Sequence, residues 1–511
     1  MSRSEKSLKN LVTALIGQSI GLIISFVARI VFIKFLGAKY LGVNGLFTNI
    51  LSVLSLAELG VGEAITFSLY KPLALNDTYK CNMLMQLYKK VYIFIGFFIF
   101  IVGISITPFL KLFISENSNI NNLEIIYILF VLNSALSYFF SYKRNLIIAD
   151  QNRYIATIYR YAFYLILNIC QIIYLVLVKD YIGFLVLQII NTILENIFVS
   201  IKANKMYPYL QNNDKIPLDN ESKSQIIKNT KAMMMHKIGG TIVNSTDNII
   251  LSKFVSIVSV GVYSNYYLII SALNTIYNQI FSSLTASVGN LYITESREKT
   301  YNIFKNIYFL NFVVYSISAV CLLTLINKFI TIWLGDEYIF SFSIILILVV
   351  NFYITGMRKS VLTFKEAVGL FYNDRWKSVI EGIINLIASI ILVKICGIFG
   401  VFLGTFISSI STCVWIEPYI LYKDGFDKSV SLYFKKYFQY IFFTVLLGII
   451  CCLIDFKICI GNLFINLLVT AIVNLSICLI FILCIYCKSE ELKFFRDKIF
   501  SILKGLRGKK C

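Results

Sequence analysis

About fourteen apolar stretches, most of them close to twenty residues or longer, set the terms on which this chain can fold. An α-helix rises about 1.5 Å per residue, so roughly 20 residues cross a hydrocarbon layer about 30 Å thick. The stretches fall near 11–33, 43–69, 91–113, 124–142, 157–178, 181–201, 233–252, 259–290, 306–327, 339–357, 377–396, 399–421, 437–455 and 461–487. Those at 43–69 and 259–290 exceed the minimum, as tilted helices do. Only 14% of the 511 residues are charged and 58% are hydrophobic, whereas a soluble domain carries about 25% charge. Lipid therefore has to be the solvent. Open sheets leave unpaired backbone groups in lipid, so the expected fold is all-α, a polytopic membrane protein of about 14 transmembrane helices.

A net charge of +20 invites a nucleic-acid reading until the charges are placed. With the N-terminus inside and the spans alternating, Lys and Arg favour the inner side by about five to one. The bias supports an even number of spans with both termini cytoplasmic, and it assigns the basic residues to topology and to anionic headgroups. No nucleic-acid partner is expected. The expected location is the bacterial cytoplasmic membrane. The opening apolar run is too long for a cleavable signal peptide, and no small-residue cleavage pattern follows it. Of twelve cysteines, Cys170, Cys321, Cys413, Cys451 and Cys478 lie in spans, where a thiol acts as a small apolar group. Cys484 and Cys487 form a lone CxxC without a nearby histidine, so no metal site is expected.

The longest hydrophilic stretch, 204–232, reads as a cytoplasmic linker between an N-terminal bundle, 1–203, and a C-terminal bundle, 233–421. The last two spans and a basic tail occupy 422–511. Shifted by 219 residues, 21–54 lies over 240–273 without a gap, and ten of the 34 positions match, including Lys34-Phe35 with Lys253-Phe254 and Gly42-Val43 with Gly261-Val262. Spans 1 and 7 both enter from the inside, so the repeat is parallel. Two six-helix bundles related by an axis along the membrane normal, around a central cavity, are a transporter architecture. Outer loops are short, which disfavours an enzyme working on the outer face.

Polar residues inside spans turn toward a bundle interior or a wet cavity, and four spans carry them at helical spacing. Span 1 has Gln18, Gly21, Ser25 and Arg29; span 7, its mate, has Lys237, Thr241, Asn244 and Asn248, with Asp247 beside them. Span 2 has Asn44, Thr48, Ser52, Ser55, Glu63 and Thr66; span 8 has Ser271, Asn274, Asn278, Ser282 and Thr285. Under the repeat Ser52, Ser55, Glu63 and Thr66 fall on Ser271, Asn274, Ser282 and Thr285. Such stripes serve either helix–helix hydrogen bonding or a hydrophilic cavity. Arg29 either snorkels to the headgroups, pairs with Asp247 as a structural contact, or grips an anionic group, for which a guanidinium fork suits a pyrophosphate. Glu58 and Glu63 either carry a coupling proton or cation or are neutral hydrogen-bonded acids; Glu195 and Glu417 have the same two readings. His236 reads as an interfacial side chain. Lys143, Arg144 and Arg153 in one half, and Arg358 and Lys359 in the other, read as surface anchors.

The stretch Phe35 to Ser52, the run Ala57-Glu58-Leu59-Gly60-Val61-Gly62, the segment Leu69-Tyr70-Lys71-Pro72-Leu73 and Asn244-Ser245-Thr246-Asp247-Asn248 resemble the polysaccharide transport family, which includes O-antigen and capsule repeat-unit flippases of the multidrug/oligosaccharidyl-lipid/polysaccharide exporter superfamily. The resemblance covers about 1–90 and span 7 at motif level. It implies translocation of undecaprenyl-pyrophosphate-linked oligosaccharide repeat units, a basic cavity that Arg29 and Lys237 fit, no enzymatic activity, no cofactor, and proton or sodium coupling left open. Implied partners are the lipid-linked oligosaccharide, membrane lipids, and the polymerase and glycosyltransferases of the same route. Glu63 and Asp247 add acids to that cavity. Alternatives are a cation-coupled multidrug exporter, a lipid II flippase of the same superfamily and, less well matched, a polysaccharide polymerase.

Overall fold

The computed structural model describes residues 3–58, 60–115, 120–211, 220–370, 374, 376–458 and 460–497. The side chains of Asn244 and His236, Cys511 and the linker stretch 212–219 lie outside what is described. Among the described residues there is no strand. Eleven helical runs are long and apolar enough to cross a membrane. Lys377–Phe426 contains two of the expected spans, Val12–Glu58 holds the first and the start of the second, and α7 (Asn220–Phe254), the polar span 7, is not among these runs. The chain is a multi-pass membrane protein, and the fourteen stretches fall mainly on helix among the described residues.

Contacts divide the chain into two compact units, Met1–Ser264 and Asn265–Cys511. The first contains α1 (Arg3–Leu54), α2 (Val61–Ala74), α3 (Thr78–Ile106), α4 (Leu123–Ala149), α5 (Arg153–Leu177), α6 (Tyr181–Met206), α7 and the first residues of α8 (Ile257–Thr294). α1 bends at Gly37, where φ is +79° and ψ 172°, a conformation that a Cβ disfavours. Its first arm runs beside α5, with Asn10 bonded to Gln151 and Ser25 to Tyr164. Its second arm turns back, so that Tyr40 meets Tyr181, Phe47 meets Tyr127, and Thr66 beyond it reaches Tyr88. Gly60, left-handed at φ +78°, ends a short tight turn at Ser55–Glu58 and starts α2. Asp77 and Asp180 cap α3 and α6 by accepting from Lys80 N and Gly183 N. The apolar core of this unit joins Ala64, Leu69, Leu84, Tyr88, Ile95, Leu146 and Val199.

The repeat has a structural counterpart here. A Cβ on Gly42 would overlap the carbonyl oxygen of Ile257, and a Cβ on Gly261 would overlap that of Ala38. Since Ala38 and Gly42 align with Ile257 and Gly261, each copy of the motif presses its glycine on the other copy's backbone. A glycine at the contact permits such close approach of helices in a membrane.

The second unit continues α8 and adds α9 (Arg297–Leu334), α10 (Phe342–Met357), α11 (Lys359–Val368), α12 (Lys377–Ser411), α13 (Cys413–Ile420), α14 (Ser431–Asp455) and α15 (Leu463–Tyr486). α12 is itself a hairpin about Gly397 (φ +57°, ψ −134°): Ser389 bonds Val401 O, Asn385 bonds Thr405, and Lys377 meets Glu417. α14 and α15, the last two spans, pack on α9. Aromatic rings fill that contact, with Phe312 stacked on Tyr440 at 4.1 Å and Tyr308 on Tyr433 at 5.0 Å. In both units large apolar side chains such as Phe94, Leu177, Phe442 and Ile472 stand exposed, as lipid-facing positions do.

Candidate functional site

In the first unit the expected polar residues share a region along α1, α2 and α7. Arg29 is half-buried, and its Nη1 donates to the Ser264 hydroxyl at 2.9 Å. One turn earlier Ser25 bonds Tyr164 at 2.7 Å and the Gly21 carbonyl at 2.8 Å. Gln18 keeps a buried amide nitrogen without a partner, and Asn248 a buried amide oxygen; polar atoms left unsatisfied in lipid are costly, so such groups mark positions that a ligand or water would complete. Asn44 and Asp247 are half-buried. Ser52 and Ser55 spend their hydroxyls on backbone carbonyls of their own helix, Thr48 O and Ser52 O.

The two acids of span 2 separate. Glu58 lies in the short turn before Gly60. Its Oε2 accepts from Lys237 Nζ at 3.0 Å, and its Oε1 accepts from the Tyr92 hydroxyl at 2.5 Å. Tyr92 and Tyr88 continue this polar chain to Asn145, which donates to the Tyr88 hydroxyl at 2.6 Å. The fit is close: a Cβ on Gly62 would strike both the Tyr92 hydroxyl and Glu58 Oε1. Glu63 is exposed. An unbroken helical wheel puts Glu63 on the polar stripe and Glu58 on its flank. The break at Ser55–Gly60 resets the phase, and Glu58 becomes the acid that meets span 7.

In the second unit Asn274 is half-buried with an amide oxygen that finds no partner, while Asn278 is exposed. Ser271 and Ser282 bond carbonyls of their own helix. Among the described residues no group of three His, Cys, Asp or Glu side chains could hold a metal ion.

Of the residues read as surface anchors, Arg144 and Arg358 are ion-paired. Arg144 donates to Glu195 at 2.6 Å, and Lys143 to Ser200 at 2.7 Å. In the second unit Arg358 donates through Nε and Nη2 to both oxygens of Glu417, at 2.9 and 2.7 Å. Lys377 binds the same carboxylate, Glu381 lies 3.7 Å from Arg358, and Lys365 pairs with Asp374. Glu417 is fully buried. Each unit thus ties the end of its fourth span to its sixth through an arginine and a glutamate. The sequence offers no short-range signal for this, because Arg358 and Glu417 are 59 residues apart. Tyr92, Tyr88, Tyr164, Ser264 and Lys377 were likewise invisible to helical spacing.

By sequence, no family model and no curated protein matches the chain. By structure, it superposes on the lipid II flippase MurJ in an inward closed conformation with TM-score 0.67 at 15% identity, covering 93% of this chain and 98% of that one. An inward-facing multidrug resistance MATE family transporter of the MOP superfamily gives TM-score 0.63 at 14% identity, covering 79% and 97%. A MOP superfamily transporter from Pyrococcus furiosus gives 0.55 at 13%, covering 83% and 97%. The chain has the fold of MOP superfamily transporters.

Proposed function

We propose that the chain is a flippase that carries undecaprenyl-pyrophosphate-linked oligosaccharide repeat units across the bacterial cytoplasmic membrane by alternating access, for surface polysaccharide synthesis. The observation that carries this reading is a pair of cations in the first unit, Arg29 on α1 and Lys237 on α7, each held by a polar side chain that a stronger anion can replace. A guanidinium fork meets a pyrophosphate through two parallel hydrogen bonds, and an ammonium adds a compact charge. A carrier of cationic drugs gains nothing from either. Coverage points the same way. The flippase neighbour spans 93% of this chain, which leaves too little to omit both α14 and α15. The multidrug transporter spans 79%, which leaves room to omit them. A lipid II flippase is the second reading, supported by the same neighbour.

In this reading the sugar and pyrophosphate enter a cavity that opens inward, while the lipid tail stays in the bilayer. Arg29 and Lys237 take the diphosphate, and Glu58 and Asp247 serve as the resting anions. Gln18, Ser25, Asn44, Ser52, Ser55, Glu63, Asn244, Asn248, Asn274 and Asn278 offer hydrogen bonds to sugar and phosphate. Coupling to a proton or sodium ion falls to Glu58, Glu63 or Asp247.

The test is flipping of a fluorescent polyprenyl-pyrophosphate oligosaccharide in proteoliposomes, with wild type, Arg29→Lys and Arg29→Ala. Losing a charge-assisted bidentate contact costs about 1.5–3 kcal/mol, so Arg29→Lys should flip roughly 10- to 100-fold more slowly and Arg29→Ala more slowly still. Normal flipping by both variants would leave Arg29 a lipid anchor.

A further inference from the structure

We propose that the second unit carries a separate binding site for the phosphate headgroup of an anionic phospholipid, seated between the N-terminal ends of α9 and α14. The pocket there holds about 210 Å³ and is lined by Tyr301 and Lys305 of α9, Leu432, Lys435 and Lys436 of α14, and Glu491 beyond α15. Three lysines on two helices converge on one small space. A fourth, Lys428, lies over the ring of Tyr301, one of the lining residues.

The charges do not cancel internally. Lys436 is 3.4 Å from Glu491, and Lys428 is 2.8 Å from Glu298. Lys305 and Lys435 have no acidic partner among the described residues. Tyr301 arranges the cations: its ring lies 4.8 Å from Lys428 Nζ and 5.5 Å from Lys305 Nζ, contacts that hold an ammonium in place without neutralising it. Two ammonium groups in excess suit a phosphodiester.

Size and surroundings choose the source of that phosphate. Pockets for whole drug-sized ligands hold roughly 300–1,000 Å³, so this one takes a headgroup and leaves the remainder of the molecule outside. What lies outside is apolar: Leu432 on the rim and Phe438 further along α14 are both exposed. These helix ends belong to the side that the charge bias places inside, where anionic lipid is attracted by juxtamembrane lysines at about 1 kcal/mol each. The site lies wholly within the second unit and shares no residue with the proposed substrate contacts. It therefore stands or falls independently of the flippase reading.

The test uses the full chain in detergent. Binding of dioleoylphosphatidylglycerol, with dioleoylphosphatidylcholine as reference, is followed by native mass spectrometry titration. The variants are Lys305→Gln/Lys435→Gln, the charge-retaining Lys305→Arg/Lys435→Arg, and Lys89→Gln/Lys90→Gln, which removes the same charge from exposed lysines of the first unit. The pocket variant should bind phosphatidylglycerol about 30-fold more weakly, five- to six-fold per lysine. The arginine variant should stay within a few-fold of wild type and the distal variant within two-fold. Inorganic phosphate at 10 mM should not displace the lipid. Equal losses in the pocket and distal variants, or no loss in the pocket variant, would overturn the site. Displacement by phosphate alone would overturn the lipid as its ligand.

Discussion

Replacing Glu417 with Gln tests whether the buried ion network holds the second unit together. The carboxylate has no exposed surface and receives three donors: Arg358 Nε at 2.9 Å, Arg358 Nη2 at 2.7 Å, and Lys377. Glutamine keeps the shape but removes the charge that faces both cations. Arg358 then retains only Glu381 at 3.7 Å, and Lys377 only Asp374 at 4.0 Å. Removing one partner of a buried pair costs about 3–5 kcal/mol, because the other charge stays desolvated. A unit of this size loses about 2–4 °C of melting temperature per kcal/mol, so Glu417→Gln should melt on the order of 10 °C lower. The assay is thermal unfolding of the purified full chain followed by intrinsic fluorescence. Breaking the exposed i,i+4 pair of Lys299 with Glu295 should shift the midpoint by no more than about 2 °C, since such pairs contribute about 0.3–0.5 kcal/mol. Arg358→Met/Glu417→Met removes a neutral pair and should cost less than Glu417→Gln alone. A Glu417→Gln melt within 2 °C of wild type would refute the reasoning.

Gly42→Leu should destabilise the first unit by at least about 1–3 kcal/mol by overpacking against Ile257 O. Gly37→Ala, where a Cβ meets nothing within 4 Å, should cost about 1–3 kcal/mol through its dihedral alone; equal and negligible shifts in a denaturation series would contradict both. A cysteine at Lys205, in an otherwise cysteine-free chain, should react with an impermeant maleimide only after the cells are opened. Labelling of intact cells would reverse the topology.

How much of this was legible in the sequence depended on the range of the signal. Spans were legible because run length is local and lipid penalises every exception. The repeat was legible from Gly42 and Gly261, and their reciprocal contact explains why both positions must be glycine. Surface anchoring of Arg144 and Arg358 was a sound reading of charge near helix ends, yet folding brings Glu195 and Glu417 to them from 51 and 59 residues away. The choice between Glu58 and Glu63 turned on one left-handed glycine, Gly60, which periodicity cannot register. The neutral partners Ser264 and Tyr164 were hidden for the same reason as the distant acids: helical spacing describes one face of one helix.

The hairpins at Gly37 and Gly397 bear on how the chain is made. Each turns two apolar arms around a single glycine, and the charged residues within five positions are only Lys34 and Lys39 at Gly37 and Lys394 at Gly397, a short marker between one span and the next. Those lysines are the only polar anchor that the far end of each first arm has at the headgroup layer. With so short a marker each pair is suited to enter the bilayer as one hairpin, and an insertion of a few polar residues at either glycine would separate its arms into two independent spans.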